Sequence, residues 1–363
     1  MQSLPADTLE RVAFATMTAL GSSDAEAVIV AEHLVLANLS GHDSHGVGML
    51  PDYVRLAHEG LLVPNQTLET LVDFGALLLF EAGRGCGQRM ILEATTAGIE
   101  RARVQGACVF GVRNASHIGR VGHYAETCAA AGMAGIFFVN VGDHDAFQAP
   151  YGCSDARLGT NPFAAAIPGA DGPGTDGPAA VLDMATSTIA FGKARVARNK
   201  GVAVPPDSII DAEGRVTTDP TRLVDEQVGA LKAFGQHKGS GLAIFCELLG
   251  GALTGGQTIQ PAHPIRGGIL NSVLGIVIDT ARLGERSAIA HEVEAIKDWI
   301  KASKPAPGID KVRIPGEPEL EHRAARGKTG IPVDAKSLDD ILAAAASAGV
   351  AAPLLDEVRG ALA

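Results

Sequence analysis

The sequence predicts an α/β fold with a helical portion formed by both chain ends. Three observations carry this. Apolar runs at 107–112 and 134–140 read as strands and flank a helical stretch at 121–131, which is α/β layering. The first 39 residues and the last 30 are helical in pattern and rich in Ala. Glycine is abundant, at 44 of 363 residues, and clusters between these segments, as tight connections require.

Residues 6–39 read as two helices, with Ser23 and Glu26 placed for a capping box on the second. A third helix is expected from Ser44, which would cap it, with Val47, Leu50, Val54 and Ala57 along one side. Leu77–Phe80 is a strand and 87–104 a helix. Gly142 to Gly177 is rich in Gly, Pro and Asp, broken by the apolar run Phe163–Ile167. Val181–Asp183 is a short strand, Thr188–Asn199 a helix, and Asp211–Gly214 a turn. Gly241–Leu253 is an apolar helix and Gly255–Gly268 a loop. Leu274–Ile278 is a strand and His291–Ala302 a helix. Pro305–Glu319 is irregular, and helices follow at 336–347 and 353–361. This divides the chain into a helical portion (1–75 with 300–363) and an α/β portion (76–299).

Composition excludes several classes. Hydrophobic residues make up 46% and charged ones 20%, enough for a sizeable core. A net charge of −11 speaks against nucleic acid as a partner. No apolar run reaches membrane-spanning length, and the first residues show no secretory pattern, so a cytoplasmic protein without membrane partners is expected. The five cysteines stand singly, as expected of reduced, buried thiols.

Chemistry-bearing residues collect at the ends of predicted elements. His117 lies in Asn114-Ala-Ser-His-Ile-Gly-Arg-Val-Gly122, where a strand ends and a helix begins. Free N–H groups there suit an anion, and a histidine can exchange a proton near neutral pH. Gly41-His-Asp-Ser-His-Gly46 sets a hydroxyl, Ser44, beside an imidazole, His45. His42 and His45 lack a third ligand, so no metal site is expected. Thr160, Asn161 and the run Asp183-Met184-Ala185-Thr186-Ser187 place small polar groups around a short strand. His237 and Lys238 precede an apolar helix, although the P-loop spacing is absent. Gly83-Arg-Gly-Cys-Gly87 is not GxGxxG, and no Rossmann fingerprint occurs anywhere. Asp143, His144 and Asp145 form a polar loop.

Taken together, DSHGV at 43–47, HIG at 117–119, GTNP at 159–162, LDMATS at 182–187, TDP at 218–220, HKGSGL at 237–242 and PGEPE at 315–319 resemble the non-Rossmann malate/L-lactate dehydrogenase family. The runs at 44–54 and 117–126 look most like its hydroxycarboxylate dehydrogenase B branch. The resemblance implies a homodimer, an unusual α/β fold that binds NAD or NADP, and interconversion of a 2-hydroxy acid and a 2-oxo acid. It implies His117 as acid/base, an imidazolium in reduction and neutral in oxidation. Ser44 and His45 would hold substrate or nicotinamide, and Asp183 would orient a histidine or touch the cofactor. Cofactor contacts are implied for His45, Gly119, Arg120, Val121, Asp183, Met184, Ala185, Thr186, His237, Lys238, Asn271, Gly316, Glu317, Pro318 and Glu319.

One position departs from the pattern. Met49 stands where many members of the family carry an arginine suited to a substrate carboxylate. Either Arg55, Arg120 or Arg266 supplies the grip, or the pocket takes a bulkier, more apolar 2-oxo acid. The alternatives are a cyclic ketimine reductase forming proline- or pipecolate-like products, and a catalytically idle NAD(P)-binding protein. Neither NAD nor NADP is favoured by the residues.

Overall fold

The computed structural model describes residues 2–169 and 178–360. The tail of the Gly/Pro/Asp-rich stretch, 170–177, and the final residue expected in the last helix lie outside them. Along the chain come β1 (Gln2–Leu4), α1 (Ala6–Ala19), α2 (Asp24–Leu39), α3 (Leu50–His58), β2 (Glu69–Phe74), β3 (Leu77–Glu81), α4 (Gly87–Gln105) and β4 (Ala107–Ala115). Then follow α5 (Gly122–Ala130), β5 (Met133–Gly142), β6 (Phe163–Pro168), β7 (Pro178–Met184), α6 (Phe191–Lys200), β8 (Ile209–Ile210), β9 (Val216–Thr217) and α7 (Thr221–Asp225). The rest are β10 (Ala230–Leu231), α8 (His237–Cys246), β11 (Leu270–Asp279), α9 (Arg286–Lys301), α10 (Glu317–Thr329), β12 (Ile331–Val333), α11 (Ala335–Ala348) and α12 (Ala352–Gly360).

The α/β class is as expected. Seven strands form one mixed sheet in the order β2-β3-β4-β11-β5-β6-β7. β3 and β4 run parallel, and the other neighbouring pairs are antiparallel. The late strand β11 is inserted between β4 and β5, its apolar residues buried on both sides. β4, α5 and β5 therefore form a crossover whose two strands do not touch. α4 and α5 cover one face, and the core beneath them holds Phe110, Val112, Tyr124, Phe137 and Val277. Phe110 fits because Gly98 and Gly275 lack side chains: a Cβ at either would come within 2.9 or 2.3 Å of its ring.

A second core joins the chain ends. α1, α2 and α3 pack with α11 and α12, around Leu9, Leu34, Tyr53, Ile341 and Leu342. The β1–β12 pair, which alternation was too short to reveal, closes it. β2 was also missed, because all six of its residues are exposed and carry no buried face to read. Three two-residue strands, β8 to β10, form a further small sheet.

Several boundaries differ for local reasons. Ser44 caps no helix: two short 3-10 turns at Asp43–His45 and Val47–Met49 precede α3, whose N-cap is Met49 with Pro51 in the first turn. Ser23 caps α2 as expected, but Glu26 does not reach back; its carboxylate accepts from Ser22, Asn65 and Arg89 instead. α8 starts earlier than expected, at His237, and continues as a π-helical segment, Glu247–Ala252. The end of the segment expected to be irregular is the first turn of α10, entered through Gly316 at φ +98°. Four cysteines are buried, whereas Cys153 is exposed.

Phe110→Ala is expected to cost about 3–5 kcal/mol, because the glycines opposite cannot fill the cavity. Denaturant unfolding measures it, and a loss below about 1 kcal/mol would mean the site collapses freely.

Candidate active site

His117 lies beyond β4 on the segment 116–121 that leads into α5, as the sequence indicated. Three devices fix this segment. Gly87, at the start of α4, sits against it so closely that a Cβ would fall 2.2 Å from the Ser116 carbonyl oxygen. The Ser116 N–H donates to the Gly85 carbonyl (3.0 Å). The Ile118 N–H donates to Asn271 Oδ1 (3.1 Å), and Asn271 Nδ2 donates in turn to the Asn140 carbonyl (3.0 Å). Of the alternating glycines at 83–87, Gly87 thus serves close packing under the histidine, while Gly83 and Gly85 make room for Gln66 and Met90. Asn271 spends its amide on backbone.

Gly119 is required twice over. Its φ is +71°, and a Cβ would meet His33 Nε2 at 2.4 Å. His33 is buried and accepts the Arg120 N–H (2.9 Å). Burial holds its imidazole well below the usual range, so it stays a neutral acceptor.

His117 itself is 7% exposed. Its Nδ1 lies 2.7 Å from the Tyr53 hydroxyl and its Nε2 3.2 Å from His45 Nδ1, with the two imidazoles stacked. Gln88 Nε2 donates to the same Tyr53 oxygen. Burial, with His45 beside it, pushes His117 down to about 3, and burial pushes His45 down to about 4. Both are neutral at pH 7. His45 is half-buried and Ser44 exposed, so the pair opens toward solvent on the Ser44 side. Ser44 faces the first turn of α6, where a Cβ on Gly192 would lie 3.3 Å from the Ser44 Cβ.

Beside the histidines is a charged cluster. Arg120, 1% exposed, makes a bidentate pair with Glu126 (2.8 and 3.0 Å) and faces Asp183 at 3.1 Å. Arg323 also grips Glu126 and donates to Ser40. Asp183, on β7, packs against the start of α5, where a Cβ on Gly122 would meet its Oδ2 at 2.6 Å. Arg120 is committed to two carboxylates, which takes it out of the candidates for gripping a substrate. Arg55 is drawn outward to Asp52, Glu59 and the Gly267 carbonyl. Asp183 touches neither His45 nor His117 by hydrogen bond; it reaches His45 through space, favouring the cation there.

Other expected residues lie around this centre. Glu319 pairs with His42 (3.1 Å), so His42 and His45 point to different partners, and no group of metal-ligating side chains occurs among the described residues. Gly316 lets the chain pass β7, where the Val181 N–H donates to the Pro315 carbonyl (3.0 Å). Glu317 pairs with Lys301, and Pro318 follows it in the first turn of α10. Val121 is buried. Met184 and Ala185 are half-buried, and the Thr186 hydroxyl donates to the Thr160 carbonyl (2.8 Å). The Thr186 carbonyl accepts from Phe234 N–H (3.0 Å), which ties this strand end to the turn before α8. His237 and Lys238 are exposed there, with no ion pair among the described residues. An ammonium and an imidazole, both exposed on the first turn of a ten-residue helix, offer donors suited to a phosphate group, so the donor set fits a dinucleotide. Asp143 is a loop anchor, paired with Arg84 (2.8 Å) and accepting Arg266 N–H (2.7 Å).

The sequence reading missed Tyr53, Gln88, His33, Glu126 and Arg323. Tyr53 follows Met49 by four residues and so shares its face, a signal available from spacing. Gln88 and His33 carried none, since their partners are distant in sequence.

The sequence model of the malate/L-lactate dehydrogenase family matches residues 4–342. The chain belongs to that family. It is 42% identical to hydroxycarboxylate dehydrogenase B of Escherichia coli (strain K12), over 95% of this chain and 94% of that protein. It is 42% identical to an L-lactate dehydrogenase of Cupriavidus necator, over 83% of this chain and 85% of that one. The fold matches the solved sulfolactate dehydrogenase of Methanocaldococcus jannaschii with a TM-score of 0.85 at 28% identity, covering 98% and 99% of the two chains. The described residues contain no helix long and apolar enough to cross a membrane.

The buried imidazoles also set acid stability. The folded protein holds His33, His45, His117 and His123 below the usual 6.5, so the unfolded chain binds more protons as pH falls. Stability is fully present above about pH 6.5 and declines below it, by up to about 1.4 kcal/mol per pH unit for each histidine. Thermal unfolding between pH 7.5 and 5 measures this. His123→Gln should flatten the slope, and a slope unchanged in that variant would exclude His123 as a contributor.

Proposed function

We propose that this chain is a nicotinamide-dependent 2-hydroxy acid dehydrogenase in which His117 exchanges the proton at the substrate oxygen. The observation that carries this reading is the buried imidazole pair. The buried Tyr53 holds His117 Nδ1, so a substrate would meet Nε2, on the side of His45 and the exposed Ser44, in place of its contact with His45. A nicotinamide supplies the hydride for the carbonyl carbon in reduction and takes it back in oxidation. His117 and His45 then hold the oxygen in register, and Ser44 offers a hydroxyl at the mouth. His237, Lys238 and the strand end Asp183–Thr186 are the groups that would hold the cofactor, with the segment Gly316–Glu319 beside them. NAD and NADP fit this donor set alike.

Because His117 is neutral in the free protein, reduction requires that it gain a proton. An arriving 2-oxo acid is itself an anion, and its charge next to the imidazole favours the cation. Met49, half-buried one turn before Tyr53 and packed against the helical core, puts an apolar thioether where many relatives carry a carboxylate-binding arginine. That supports a bulky or aromatic 2-oxo acid over a small dicarboxylate. The same reading takes the protein as a cytoplasmic homodimer; the exposed Leu283, Ile296 and Trp299 around α9 are surface of the kind a second subunit covers.

NADH and NADPH oxidation against a panel of 2-oxo acids and cyclic imines tests the activity. Turnover of an open 2-oxo acid that drops about 10²–10⁴-fold in His117→Ala is expected. Turnover of imines alone, or none at all, overturns the reading. Met49→Arg is expected to move preference toward small dicarboxylates, by about 1–3 kcal/mol in relative kcat/KM for a new charge-assisted pair. An unchanged ranking would remove Met49 from substrate selection.

A further inference from the structure

We infer that Gln88 is a positioning residue that sets which ring nitrogen of His117 carries the proton. The inference rests on the reading of His117 given above and adds a residue to it. Gln88 stands on the first turn of α4, 1% exposed, and its amide N–H donates to the Tyr53 oxygen. A phenolic oxygen that already accepts there has its own O–H free to donate. The acceptor in reach is His117 Nδ1, at 2.7 Å. An Nδ1 that accepts cannot carry a proton in the neutral ring, so the proton sits on Nε2. From there it points to His45 Nδ1 (3.2 Å), the side from which substrate enters. The order of donation is therefore Gln88 to Tyr53 to His117 to His45.

This order has a use. Burial holds His117 neutral and makes the Tyr53 phenolate inaccessible, since burial pushes that hydroxyl far up. With neither group ionised, the direction of each hydrogen bond is decided by which end of the Gln88 amide meets Tyr53. The Gln88 amide has a donor end and an acceptor end, and it is the N–H end that faces the Tyr53 oxygen, so this orientation of Gln88 sets the sense of the whole chain. The free protein then presents an N–H, not a lone pair, to an incoming carbonyl oxygen. A lone pair there would repel it.

The test reads the tautomer directly. In protein labelled with ¹⁵N-histidine, free of substrate, protonated and unprotonated ring nitrogens resonate far apart. Wild type is expected to show His117 as the Nε2–H form, and Gln88→Met a mixture in which Nδ1–H appears. With the 2-oxo acid identified by the panel, kcat/KM in Gln88→Met is expected to fall about 10- to 100-fold, a part of the 10²–10⁴ that the proton transfer supplies. Circular dichroism and the melting temperature show whether the variant is folded; if it is not, Tyr53→Phe, which removes the donor itself, serves the same reading. Wild-type His117 in the Nδ1–H form overturns the inference, as does a tautomer unchanged in a folded variant. The spectra need no turnover, so a protein inactive on every 2-oxo acid can still confirm the tautomer. Activity that is independent of Gln88 would leave the dehydrogenase reading standing and remove this residue from it.

Discussion

An imidazole that is almost wholly buried and hydrogen-bonded at both nitrogens can adopt one orientation, and the segment from Ser116 to Val121 is built to enforce it. Its backbone is held from below by the Gly85 carbonyl, from the side by Asn271 and from above by His33. Each support comes from a different part of the chain: the start of α4, the inserted strand β11, and α2. Placing one histidine therefore requires the sheet and the helical core to be docked together. Tyr53 makes the dependence explicit, since it belongs to the helical core yet hydrogen-bonds a residue at the end of a sheet strand.

Charge does the rest of the joining. Arg120 and Glu126 lie inside, where an unpaired ion would cost several kcal/mol, so each must be matched. Glu126 has two arginines, Arg120 and Arg323, and Arg120 has two carboxylates, Glu126 and Asp183. The net charge of this group is zero, and its members come from α5, α10, β7 and the His117 segment. Asp43 repeats the device nearby, taking Arg326 of α10 bidentately. α10 is thus held to the SHG segment and to the α5 side by arginine forks. This is the physical reason that residues more than 200 positions apart share one site.

The legible parts of the sequence were those with local signals. β4, β5, α4, α5 and the two last helices were readable because their periodicity is long enough to register. His117 was readable as a histidine between a strand and a helix. The parts that failed lack a local cause. β2 has no buried face, and β1 and β12 are three residues each. Ser44 looked like a cap because hydroxyls often are, but Pro51 and the two 3-10 turns shift the helix start past it. Tyr53 and Gln88 were invisible for a deeper reason. Tyr53 bonds both Gln88 and His117, and neither contact exists until the two cores are packed.

The glycines show how motif reading can mislead in the same way. GRGCG at 83–87 invites comparison with a phosphate loop and fails it on spacing. Its alternation still has a cause, because Gly83 and Arg84 both need positive φ and Gly87 needs contact with the Ser116 carbonyl. A Rossmann turn uses missing side chains to bring backbone to a pyrophosphate. Here the same property brings backbone to backbone, underneath the histidine. Nothing in that use requires a fixed distance to a helix start, so no fingerprint spacing results. The residues proposed to meet a phosphate, His237 and Lys238, lie instead on a separate helix tied to the β7 strand end through Phe234 and Thr186. On that proposal the two tasks are separated, and the motif that combines them does not arise.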